Sequence, residues 1–156
     1  MNWLRRCLVL GFAAFGFGQK RSEAGIMEDV ASSANSVAKS LQALGYKTDF
    51  SFESIKELER FMIDNVNDEG GAKPKSELGK DTGGRLFMLG SYLGEVIRRE
   101  INGSWRGSDD DPEVILNVEV IGPNGAVIWP IQRIMKRFQN GSEDDVWAYA
   151  QGTIED

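Results

Sequence analysis

Glu95, Arg98 and Arg99 fall at three- and four-residue spacing, so on a helix they share one face. A carboxylate beside two guanidiniums could bind an anion, orient a substrate or support carboxylate-dependent catalysis. A solvated helix carries such charges just as readily, so surface pairing is the alternative. A second set, Arg133, Lys136 and Arg137, is spaced to form a basic stripe. That stripe would dock an acidic partner or a phosphate, although cations near a helix C-terminus are also favoured by the macrodipole. The aromatic residues Tyr92, Trp105, Trp129, Trp147 and Tyr149 could line a pocket or an interface, or simply fill a core. Trp147, with Tyr149, is the aromatic expected at the surface and so a binding candidate. Asp109, Asp110 and Asp111 with Glu113 offer oxygens to a hard cation. Their spacing lacks the alternation and the glycine of a calcium loop, so a solvated acidic loop is the better reading.

What the chain lacks narrows the chemistry further. It contains no histidine and one cysteine, Cys7. Ser-His and Cys-His nucleophile pairs, a disulfide within the chain and a zinc site built from several Cys or His are thereby removed. Gly70-Gly71 and Gly83-Gly84 do not form a phosphate loop, because no G-x-x-x-x-G-K-[ST] pattern occurs. No catalytic residue, metal site or cofactor is called for. The net charge of −6 argues against general affinity for nucleic acid.

The elements that must position these residues follow from periodicity. Residues 26–44 space Ile26, Val30, Val37, Leu41 and Leu44 as one helical stripe, ended by Gly45. A second helix starts at Ser51 and buries Phe52, Ile55, Leu58, Met62 and Val66. Residues 67–81 form a polar Gly/Pro loop. The central helix, residues 84–101, presents Leu86, Leu89, Leu93, Val96 and Ile97, and stops at Asn102-Gly103. Gly90 and Gly94 on that helix imply close approach by another element. Trp105 opens a first strand, residues 113–121 alternate as a second, and a turn at residues 122–125 returns residues 126–129 as a third. Pro130 starts a helix burying Ile131, Ile134, Met135 and Phe138, and Ser142 with Asp145 caps a last one. Helices, then a small antiparallel sheet, then helices make an α+β fold, with residues 22–156 as a single domain.

Residues 1–21 form an apolar and basic leader. Four positive charges and no negative ones surround the twelve-residue apolar run at 7–18, leaving −10 for the rest of the chain. The run suits a signal-peptide core and is too short to span a bilayer. Lys20 and Arg21 directly after it weaken the export signal and leave export and a cytoplasmic chain evenly matched, and any membrane contact would come from this segment alone.

The LGSYLGEVIRR helix ending at NGSW, the IWPIQRIMKR segment and the FQNGSEDDVWAYA tail together resemble a group of small bacterial proteins classed as a domain of unknown function. The resemblance spans residues 26–150 and implies a compact bacterial α+β domain, with no reaction to carry over; the short apolar and basic leaders of the group tilt residues 1–21 towards the cytoplasmic reading. The expected function is non-enzymatic: a regulatory, adaptor or immunity-type protein that binds another protein through Arg133, Lys136, Arg137, Trp147 and Tyr149. The alternative is a small-ligand binder or enzyme at Glu95, Arg98 and Arg99. An exported envelope protein is the third reading.

Overall fold

In the computed structural model, which describes residues 25–155, α1 (Ile26–Ala43) leads into a 3-10 turn (Phe52–Ser54) and α2 (Ile55–Asn65). A loop with a 3-10 turn (Glu77–Gly79) precedes the central α3 (Thr82–Glu100). Then come β1 (Ser104–Arg106), a one-turn α4 (Val114–Asn117), β2 (Glu119–Ile121), β3 (Val127–Ile128), α5 (Pro130–Asn140), a 3-10 turn (Gly141–Asp144) and α6 (Val146–Glu155). The fold is α+β, as the order of patterns predicts. The leader expected at residues 1–21 lies outside the described residues.

α3 is the axis of the molecule. Its middle, Leu89 through Gly94, is buried on every side, because α1 packs along one flank and α5 along the other. Gly90 makes that approach feasible: a Cβ there would stand 2.6 Å from the backbone Cα of Ile131 on α5. At Gly94 a Cβ would collide with the Trp105 ring and with Pro130. α3 ends where Asn102 enters the left-handed region at φ 54° and Gly103 N–H returns to the Arg98 carbonyl at 2.8 Å. The sheet runs β1-β2-β3, all antiparallel, with Trp105 opposite Val120 and Val120 opposite Ile128.

Alanine at Gly90 should destabilise the protein by about 1–2 kcal/mol. Its helix-propensity gain of up to about 1 kcal/mol is outweighed by about 1–3 kcal/mol of overpacking against a backbone that cannot swing aside. Alanine at Gly152, on α6 with nothing within 4 Å of the added methyl, should stabilise instead. Urea unfolding of the two variants checks the opposite signs.

Three expectations need correction. The alternating segment 113–121 is not one strand, because Asp111 intercepts its start. Asp111 accepts the Glu113 N–H at 2.8 Å and the Asn117 amide at 2.9 Å, and α4 forms before the chain extends into β2. The Asx turn at Asp111 overrides the period-two pattern. Leu44 does not join the buried stripe of α1; it follows the last helical residue and is 50% exposed. The final helix is capped by Asp145, which accepts the Ala148 N–H at 2.8 Å, while Ser142 falls within the preceding 3-10 turn.

Candidate functional site

The last two turns of α3 bring Glu95, Arg98 and Arg99 together as the spacing requires. Glu95 Oε1 accepts from Arg98 Nη2 and Arg99 Nε, each at 2.8 Å. Its Oε2 accepts from Arg98 Nε at 2.8 Å and from the Trp105 indole N–H at 3.0 Å. A carboxylate offers about four lone-pair sites, and here four donors fill them. Burial opposes ionisation, but the hydrogen bonds from Arg98, Trp105 and Arg99 outweigh it and hold the Glu95 carboxyl at about 2. Such a group is ionised and too weak a base for proton abstraction near neutral pH. What the arrangement does is mechanical: it clasps β1 to the C-terminal end of α3.

The clasp extends inward. The Arg99 guanidinium stacks on the Phe50 ring at 4.4 Å, and Phe50 holds a left-handed backbone at φ 62°. Its N–H donates to the fully buried Tyr92 hydroxyl at 3.1 Å, and that hydroxyl also meets Ser54 Oγ at 2.6 Å. The turn between α1 and α2 is thereby pinned onto α3.

The expected basic stripe is not a surface. Arg137 is 1% exposed and donates from Nε and Nη2 to Glu59 Oε1 at 2.9 and 2.7 Å. Glu59 Oε2 accepts the Val146 N–H at 3.0 Å, so one buried ion pair joins α2, α5 and the start of α6. Arg133 is largely enclosed as well, paired with Asp144 at 3.1 Å and stacked on Tyr149 at 4.4 Å. Lys136 is half-buried on α5 and makes no ion pair among the described residues. The correction has a signal in the sequence: Arg137 is three residues from Ile134, and Glu59 is four from Ile55 and three from Met62, so both sit on buried stripes.

Trp147 is not the exposed tryptophan. It packs against Phe52 at 5.3 Å with the Lys56 amine 4.6 Å over its ring, whereas Trp129, at the end of the hairpin, is 43% exposed. The acidic loop acts as a cap. Asp109 accepts the Ile26 N–H at 2.8 Å and so closes the first turn of α1 from 83 positions away in sequence. Among the described residues no group of three or more His, Cys, Asp or Glu is placed to hold a metal ion.

An apolar concavity lies elsewhere, and the spacing arguments missed it. A cleft of about 220 Å³ opens between the second half of α1, α2 and the start of α3. Val37, Leu41, Leu44, Phe61, Met88 and Leu89 line it, with Asp81 and Arg85 among the polar residues. Arg85 is held by Glu77 at 3.2 Å. Asp81 occupies a left-handed backbone at φ 46°, and its carboxylate makes no ion pair among the described residues. No single element encodes this cleft, although Leu44, apolar and beyond its helix end, is the residue that could have pointed to it. No family model, no curated protein and no solved structure matches the chain.

Proposed function

We propose that the protein is a non-enzymatic binding module that holds one or two large apolar side chains of a protein partner in the cleft between α1, α2 and α3. The carrying observation is the cleft itself: an apolar lining about 220 Å³ in volume with Leu44 half in solvent. A cavity of about 150 Å³ already accepts a benzene ring, whereas sites for small-molecule ligands run to about 300–1,000 Å³. The size therefore favours a side-chain anchor over a whole cofactor. The acidic balance of the chain and Asp81, which makes no ion pair among the described residues, favour a partner segment that carries Lys or Arg beside its anchor. This reading keeps the expected regulatory or adaptor role and moves its surface away from Arg133, Lys136 and Arg137. The carboxylate-enzyme alternative has less support, since the lone pairs of Glu95 are already engaged.

The test uses short Lys-containing peptides with a single Leu, Phe or Trp anchor, titrated to millimolar concentration. The methyl NMR signals of Val37, Leu44 and Met88 are followed. Shifts at these methyls are expected, with binding about tenfold weaker in Leu44→Ser, in line with losing part of an apolar contact worth about 1.5–3 kcal/mol when fully buried. Shifts that spread over other faces, or affinity unchanged in Leu44→Ser, would remove the cleft as the binding surface.

A further inference from the structure

We propose that Met88 is a reversible oxidation site that regulates this cleft: a peroxide converts its thioether to the sulfoxide, and the sulfoxide shuts out an apolar anchor. The inference rests on the cleft reading above and adds a control to it. Position singles Met88 out. Met27, Met62, Met88 and Met135 are the methionines among the described residues. Met62 and Met135 are 0% and 2% exposed, so core packing shields both from a dissolved oxidant. Met27 is exposed, but it sits on the first turn of α1 with its methyl group next to Gly107, outside the cleft lining. Of the four, Met88 alone is part of the lining, and it is only half-buried.

The chemistry needs nothing that this chain lacks. The thioether sulfur attacks one peroxide oxygen, an S–O bond forms as the O–O bond breaks, and two electrons pass from sulfur to the peroxide, whose other oxygen leaves as water. No general base takes part, so the absence of histidine is no obstacle. A dithiol reductase reverses the step, returning the oxygen as water and ending as a disulfide itself. In the oxidised cleft a polar S–O group stands among Val37, Leu41, Leu44, Phe61 and Leu89. An apolar anchor seated there would strip water from that oxygen without replacing its hydrogen bond. Arg85, three residues before Met88 on α3 and also in the lining, is the donor within reach of the new acceptor. Its present bond to Glu77, at 3.2 Å with both side chains partly in solvent, is a weak surface pair that opposes the change little.

The full-length protein is treated with dilute hydrogen peroxide, and oxygen uptake is read at each methionine by peptide mass mapping. Met88 and Met27 should gain one oxygen each while Met62 and Met135 stay reduced. The oxidised protein should bind the Lys-containing peptide with a Leu anchor about tenfold more weakly, the scale of losing part of one apolar contact. Methionine sulfoxide reductases for both epimers should restore the affinity. Met88→Leu should bind as the wild type does and ignore peroxide, whereas Met27→Leu should remain sensitive. Saturating peptide should slow oxidation of Met88 and leave the rate at Met27 unchanged. Oxidation of Met88 no faster than of Met62, unchanged affinity once Met88 is the sulfoxide, or an equal loss in Met88→Leu overturns the inference and leaves the binding reading standing. A reduced protein whose cleft takes no peptide sinks the binding reading, and this inference with it.

Discussion

Arg137→Met should cost about 3–5 kcal/mol of folding stability, a large share of the roughly 5–15 kcal/mol that holds an ordinary domain together. The substitution keeps much of the apolar stem and removes both donors to Glu59 Oε1. Glu59, 6% exposed, would then retain, among the described residues, the Val146 N–H as its partner for a full negative charge. The cost is the penalty of an uncompensated buried ion and not the net worth of the pair. Glu59→Leu combined with Arg137→Met should consequently recover part of the loss, because no charge is left inside. Urea unfolding of the wild type, both single variants and the double variant closes the cycle. A single-variant loss below about 1 kcal/mol would mean that Glu59 finds water, and that α2, α5 and α6 are not joined through it.

Glu95→Gln should remove an acid-sensitive contribution of about 2 kcal/mol, after allowance for the partial solvent exposure of the cluster. The folded carboxyl sits at about 2 against an ordinary 4.5, so its pKa is depressed by folding. Its contribution is therefore complete above about 4.5 and is lost as pH falls from there towards about 2. The stability difference between wild type and Glu95→Gln should be constant from pH 5 to neutral and shrink steadily below pH 4.5. Glutamine also turns a donor towards Arg98, Arg99 and Trp105, where all three need an acceptor. Urea midpoints at pH 7 and pH 3 decide the matter. Parallel stability curves for the two proteins would show that the clasp contributes nothing beyond ordinary surface pairing.

These two clusters differ in how far they could be foreseen. Glu95, Arg98 and Arg99 lie within one turn of helix, so their meeting needed nothing beyond α3. That Trp105 completes the set depends on β1 folding back along α3 across Gly94, which spacing suggested but did not place. The Glu59 and Arg137 pair spans 78 positions, and no local rule pairs two residues that far apart. Arg137 was read with Arg133 and Lys136 as a basic stripe and Glu59 was not singled out, although their distances from Ile134, Ile55 and Met62 put both on apolar faces.

By itself the sequence determined the helices other than α4, the stop at Asn102-Gly103, the turn at residues 122–125 and the close approach at Gly90 and Gly94. Each of these depends on backbone preferences and side-chain periods that act within a few residues. The tertiary structure alone decided which charges converge, which tryptophan faces solvent, that Asp109 caps α1, and that a cleft opens where three helix surfaces fail to meet. Those outcomes depend on the relative placement of elements far apart along the chain, and that placement is set by the burial of the whole apolar core at once.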